Sequence, residues 1–100
     1  MQGYFRVDPA TRADYLEQRI EQMLTSRVEK GCQEYTLAAD PIEADRVILS
    51  ERWDSAADLD EHARALGARR AEAEARGDAP ALAPLSRDIA RYEVASAQDM

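Results

Sequence analysis

The sequence predicts an α+β domain in which a four-stranded antiparallel sheet carries its helices on one face. Three observations predict it. Segments rich in alternating, β-branched or aromatic residues occur at GYFRV, CQEYTLAA, RVILSERW and IARYEVA. Two segments with apolar residues three and four positions apart lie between the first and second of these and between the third and fourth. The resulting order, strand, helix, strand, strand, helix, strand, is the split pattern of ferredoxin-like βαββαβ folds.

The first strand, Gly3 to Val7, alternates Tyr4 and Arg6 against Phe5 and Val7 and stops at Asp8-Pro9. Two helix starts compete there: Asp8 capping a helix with Pro9 at its first position, and the later pair Thr11-x-x-Asp14. Beyond them Ala13, Leu16, Ile20, Met23, Leu24 and Val28 fall on one helical stripe, of the kind that faces a core. Lys30-Gly31 reads as a basic last turn and a glycine cap.

CQEYTLAA and RVILSERW, joined by the turn-forming DPIEAD, read as an antiparallel hairpin. One register sets Leu37 opposite Leu49, Tyr35 opposite Glu51, Glu34 opposite Arg52 and Thr36 opposite Ser50. A slip of one residue would oppose Glu34 to Glu51, two like charges. The chosen register puts Tyr35, Leu37, Val47, Leu49, Glu51 and Trp53 on one face. Ala38 and Ile48 make the other face apolar as well. Helices cover only one side of such a sheet, so a second subunit is the expected cover for the other.

After Trp53, Ser55-x-x-Asp58 caps a second helix with Leu59, His62, Ala63 and Leu66 on one stripe, so His62 points inward. Gly67 either ends this helix or interrupts it, since GARRAEAEAR continues with strong helix formers up to Gly77. GDAPALAPLS, with two prolines, reads as an irregular connection. The last strand is expected where Ile89, Arg91 and Glu93 alternate with Ala90, Tyr92 and Val94. The domain is assigned to residues 1–95 and a loose tail to 96–100.

A chain of 100 residues forms one domain, and one this small buries only about 60–65% of its unfolded surface. Much of its 45% hydrophobic content is alanine, which contributes little burial, so help from a homodimer partner is expected. A net charge of -7 repels phosphate backbones and anionic headgroups, which argues against nucleic acid and membrane as partners. No stretch approaches the roughly 18 apolar residues of a membrane span. Cys32 is the sole cysteine, so no intrachain disulfide forms and a cytoplasmic setting is expected. One cysteine and one histidine cannot make a Cys/His zinc site within a chain. There is no phosphate loop, dinucleotide fingerprint or Ser/His/Asp constellation.

The stretch GCQEYTLAADPIEADRVILSERWDSAADLDEH resembles the central signature of the antibiotic biosynthesis monooxygenase (ABM) family. The resemblance is carried, in order, by Gly31-Cys32, Tyr35, Asp40-Pro41, Glu51-x-Trp53 and His62. YFRVDPATRADYLEQRIEQML is similar to the family's first strand and helix, and RYEVAS to its last strand. What the resemblance implies is a dimeric α/β barrel, two subunits packed through their sheet faces. Family members include oxygenases that use no metal or flavin and act on aromatic polyketides or quinols, haem-degrading enzymes, and proteins without an assigned activity.

In catalytic members the pocket lies between sheet and helices, which here implies Trp53, His62 and Tyr35 as catalytic residues. Leu37, Leu49, Glu51 and Leu66 would form the substrate-binding wall. The implied partners are a small aromatic substrate and O2, with no cofactor and no metal. His62 would act as base, since an imidazole titrates near neutrality. Trp53 would stack on the substrate, Tyr35 would orient one of its oxygens, and Glu51 would orient a polar group beside them. Each also has a structural reading, as a hydrogen-bonded core histidine, a core anchor and a packed tyrosine. Arg69 and Arg70 are candidates for an anionic substrate group. A noncatalytic dimeric binding domain is the alternative. A haem-degrading role is weakened because the chain contains no asparagine, which those relatives share alongside a tryptophan and a helix histidine.

Overall fold

The computed structural model describes residues 1–93. Side-chain alternation organises it around one sheet built from β1 (Gln2–Arg6), β2 (Cys32–Ala39), β3 (Arg46–Trp53) and β4 (Ser86–Ala90), in the order β2-β3-β1-β4 with all neighbours antiparallel. The helices are α1 (Arg12–Glu17), α2 (Ile20–Arg27) and α3 (Ala56–Ala75), preceded by a 3-10 turn at Pro9–Thr11. This is the ferredoxin-like α+β arrangement. No helix among the described residues is long and apolar enough to cross a membrane.

The hairpin forms in the expected register: Leu37 pairs with Leu49, Tyr35 with Glu51, Glu34 with Arg52 and Thr36 with Ser50. A bulge between Cys32 and Glu34 then sets Cys32 opposite Trp53. Asp40 holds the connecting turn, its Oδ1 accepting from the amides of Ile42 at 2.7 Å and Glu43 at 3.1 Å while Oδ2 pairs with Arg46 at 2.9 Å. Those two backbone donors and the guanidinium hold the Asp40 carboxyl below the usual carboxylate range.

The inner face of the sheet and the helices share a core of Val7, Tyr15, Tyr35, Leu37, Val47 and Leu49. On the opposite face lie Tyr4, Ala38 and Ile48. The guanidinium groups of Arg6 and Arg46 sit 5.0 and 4.4 Å from the Tyr4 ring centre. Such contacts use the positive charge against the ring face.

The first helical region departs from the sequence expectation. Both candidate starts are used in part: the Asp8 carboxylate caps the 3-10 turn by accepting from the Ala10 amide at 2.9 Å, and Thr11 then opens α1 without a side-chain cap bond. The single expected helix is broken at Gln18 and Arg19, where the Arg19 amide bonds back only three residues to Leu16. Both residues at the break grip one point of the later chain. Gln18 Oε1 accepts from the Leu82 amide at 2.7 Å, and the Arg19 guanidinium donates to the Leu82 carbonyl.

The break rotates the buried face. Tyr15 and Ser26 are buried, with Leu16, Gln22 and Met23 half-buried beside them, whereas Ile20, Leu24 and Val28 of the expected stripe are 44, 61 and 84% exposed, and Ala13 is exposed too. The basic residue of the last turn is Arg27 rather than Lys30. Its guanidinium reaches the Tyr35 carbonyl at 2.9 Å and Thr36 Oγ1 at 3.2 Å. Gly31 leads into β2 with φ +81°, and any Cβ there would meet the Asp58 side chain at the start of α3. Only glycine satisfies both demands.

Ser55 caps α3, its Oγ accepting from the Asp58 amide at 3.1 Å, as the spacing predicts. Gly67 neither ends nor interrupts the helix, which runs for 20 residues. It closes where Gly77, at φ +75°, lets its own amide bond to Glu74 and that of Asp78 to Ala73, the paired bonds of a glycine-terminated helix. Residues 78–85 form the irregular connection.

The final strand lies earlier than expected. β4 is Ser86–Ala90, and Arg91–Glu93 carry no strand. The reason is pairing: β1 begins at Gln2 opposite Ala90 and ends at Arg6 opposite Ser86, so the ladder fixes β4 regardless of side-chain alternation beyond it. Val94 of the expected strand, and the expected tail, lie outside the described residues.

Candidate functional site

Alternation along β3 turns Val47, Leu49 and Glu51 toward the helices, and β2 presents Tyr35 and Leu37 beside them. Across from these strands α3 supplies Leu59, His62 and Leu66. Between sheet and α3, closed on the far side by the 78–85 connection, is an open cavity of about 1090 Å³. That is slightly above the roughly 300–1,000 Å³ of ordinary small-molecule sites. Tyr35, Leu37, Leu49, Glu51, His62 and Leu66 all line it, together with Tyr15, Gln22 and Leu82.

Trp53 is placed differently: it does not line the cavity. Its indole packs at a 33° tilt against the imidazole of His62, ring centres 4.7 Å apart, and the Tyr35 ring packs against the same imidazole at 5.0 Å and 58°. The sole histidine is therefore packed against two aromatic rings, with only 3% of it exposed. The nine-residue separation of Trp53 and His62 becomes contact because the end of β3 and the first turns of α3 meet on one side of the sheet.

Polar contacts fix the imidazole further. Nδ1 lies 2.9 Å from Glu29 Oε1, and Nε2 lies 3.7 Å from Glu51 Oε1. The Glu51 carboxylate accepts a hydrogen bond from Trp53 Nε1 at 3.1 Å. Glu51 is 2% exposed, and this burial pushes its pKa up, against the opposing pull of the indole donor and His62. Burial likewise raises the Tyr35 phenol, partly offset by the Gln22 amide, which donates to the phenolic oxygen at 2.6 Å. A Tyr35 that keeps its proton remains able to donate to a ligand oxygen. Cys32 stays a thiol, raised by burial and by the nearby Glu29 and Glu51.

This arrangement places an imidazole edge, a buried carboxyl and a phenol on the wall of an otherwise largely apolar hollow. Such a site desolvates an aromatic ligand and presents it with proton acceptors and donors. Arg70 also lines the cavity, while Arg69 sits 3.9 Å from Glu29. Glu29 and Gln22 were not legible as site residues. Glu29 lies 33 positions from His62, and only the packing of the α2–β2 turn against α3 joins them.

Residues 1–74 match the family described as antibiotic biosynthesis monooxygenase. The chain belongs to that family. The ABM match ends within α3, so the connection closing the far wall of the cavity, and β4, lie beyond the matched residues. Solved structures share the fold across nearly the whole chain. A Deinococcus radiodurans protein described as a "putative antibiotic biosynthesis monooxygenase" has a TM-score of 0.78 at 19% identity, covering 99% of this chain and 94% of the other. The protein PA3566 of Pseudomonas aeruginosa gives 0.65 at 24% identity, covering 94% and 91%, and Rv0793 of Mycobacterium tuberculosis gives 0.62 at 25%, covering 95% of each. No curated protein matches this chain in sequence.

Proposed function

We propose that this ABM-family chain is a cofactor-independent monooxygenase that oxidises an aromatic polyketide or quinol-type substrate with O2. The observation that carries the reading is the buried imidazole of His62 on the wall of a large, mostly apolar cavity, packed against Tyr35 and Trp53. Chemistry without a cofactor is feasible for such substrates because an electron-rich phenolate itself reduces oxygen.

In the proposed sequence His62 removes the phenolic proton, so the O–H bond breaks and the ring becomes a phenolate. One electron passes from phenolate to O2, and the two radicals combine to form a carbon–oxygen bond and a peroxide anion. The protonated His62 returns its proton to the peroxide. Loss of water, with the hydrogen on the ring carbon leaving as the O–O bond breaks, yields the quinone. Net consumption is one O2 per substrate, with one oxygen atom in product and one in water. Leu37, Leu49 and Leu66 supply the apolar wall that orients and desolvates the ring, and Tyr35 donates to a substrate oxygen. Glu51 holds the indole of Trp53, and Trp53 acts by packing against His62.

We extend the proposal to a cytoplasmic homodimer formed through the open sheet faces, with the domain comprising residues 1–95 and a tail at 96–100. Ala38 and the 37%-exposed Ile48 support that assembly. The test is oxygen uptake with a panel of anthrones and hydroquinones, each corrected for its uncatalysed rate. Wild type is expected to accelerate uptake for at least one of them, and His62→Ala to lower kcat by about 10²–10⁴-fold, the usual contribution of a positioned base. Uptake no faster than the uncatalysed rate across the panel refutes the reading.

A further inference from the structure

We propose that Glu29 is the positioning residue for His62: its carboxylate holds the imidazole as the Nδ1–H tautomer, so that Nε2 presents its lone pair on the cavity side. The inference deepens the monooxygenase reading and rests on it for the reaction, but the tautomer stands on geometry alone.

Glu29 Oε1 lies 2.9 Å from Nδ1, a hydrogen-bond distance, whereas Glu51 Oε1 lies 3.7 Å from Nε2, outside one. An ionised carboxylate only accepts, so the short contact requires the ring proton on Nδ1. The other nitrogen is then left unprotonated on a residue that lines the cavity, with Glu51, also on the cavity wall, 3.7 Å from it. Glu51 does not hold a ring proton at that distance, and its Oε1 accepts instead from the indole of Trp53 at 3.1 Å. Rotation of the imidazole is opposed by the Tyr35 and Trp53 rings packed against it.

When Nε2 takes a proton, the ring gains positive charge while only 3% of the residue is exposed. Glu29 then lies directly opposite that charge. The charged and titratable groups facing this assembly are Glu29 from the α2–β2 turn, Cys32 and Tyr35 from β2, Glu51 from β3 and Arg69 from α3, together with the Met1 amine and Arg91 acting on Glu51, Arg27 acting on Cys32, and Arg70 and Tyr15 acting on Tyr35. Arg69 Nη2, buried and without a hydrogen bond, lies 3.9 Å from Glu29 Oε1. A base held in its tautomer by a carboxylate on the far nitrogen is the arrangement that makes histidine effective in acyl-transfer triads. Here it is assembled from a helix-end turn and a facing helix.

Because His62 is the chain's only histidine, the test is direct. Nitrogen NMR of the ¹⁵N-labelled full chain at pH 9 reads one imidazole. The expected result is Nδ1–H in wild type, moving toward Nε2–H in Glu29→Leu, which leaves Nδ1 without this acceptor. An Nε2–H or doubly protonated ring in wild type overturns the proposal, as does an unchanged tautomer in Glu29→Leu. The wild-type spectrum decides even if the variant folds poorly.

Kinetics supply the second arm, with 1,4-naphthohydroquinone as the probe in oxygen uptake. Glu29→Gln is expected to lower kcat by about 10²-fold or more while KM stays within about twofold. Unchanged kcat overturns the positioning role. Absence of uptake by wild type counts against the monooxygenase reading instead, and the tautomer then decides the assignment of Glu29 by itself.

Discussion

The bond between Trp53 Nε1 and Glu51 Oε1 ties the candidate site to the stability of the fold, and a double-mutant cycle measures it. The perturbations are Trp53→Phe, which removes the indole donor but keeps an aromatic ring, and Glu51→Met, which removes the carboxylate at similar length. At 3.1 Å the indole is the carboxylate's hydrogen-bond donor, with His62 Nε2 beyond reach at 3.7 Å. Trp53→Phe alone therefore strands a carboxyl that is 2% exposed. In the Glu51→Met background nothing is stranded. A net hydrogen bond contributes about 1 kcal/mol to a neutral partner and about 1.5–3 kcal/mol to an ionised one. The expected coupling is thus about 1–2 kcal/mol. At about 4–8 °C per kcal/mol for a domain of this size, Trp53→Phe should lower Tm by several degrees more in the wild-type background than beside Glu51→Met. Urea unfolding followed by far-ultraviolet circular dichroism is the assay, because the variant lacks the only tryptophan. Protein concentration is held constant, since self-association makes the midpoint concentration-dependent. Costs that add to within about 0.3–0.5 kcal/mol would refute the reasoning, because independent sites behave that way.

Gly31→Ala should destabilise by at least about 1–2 kcal/mol, the cost of forcing a side chain into the left-handed region, with the contact against Asp58 adding to it; a midpoint within error of wild type in urea would show that the α2–β2 turn relaxes freely. Asp40→Asn tests the turn between β2 and β3 by pH. The Asp40 carboxyl is lowered by the Ile42 and Glu43 amides and by Arg46. Its contribution is present above the ordinary carboxylate range and is lost as pH falls through the folded-state value. The stability gap between wild type and Asp40→Asn should be widest near neutrality and narrow toward acid, and a gap that widens toward acid would contradict the sign.

Much of the candidate site was legible because strand alternation is a local rule. Once Leu37 was set opposite Leu49, Tyr35 and Glu51 had to share their face, and the structure pairs them so. Helix periodicity likewise sent His62 inward from Ser55 and Asp58 alone. The same rule misled along residues 12–28. There Ile20, Leu24 and Val28 outscore Tyr15, Gln22 and Ser26 in apolarity, yet the latter face the sheet. The two residues at the break, Gln18 and Arg19, both bond to Leu82, more than 60 residues away. Glu29 was missed for a similar reason: no local pattern marks a carboxylate whose partner lies on another helix.

The amino-acid sequence by itself determined the element order, the hairpin register, the α3 cap and the inward direction of the cavity side chains. These depend on backbone periodicity and on bonds between near neighbours, which a linear pattern records. Only the tertiary structure decided which face of α2 is buried, where β4 pairs, that Trp53 supports His62 from behind the cavity wall, and that Glu29 reaches the imidazole. Those outcomes depend on contacts between segments distant in the chain, whose geometry is set by how the sheet and helices pack.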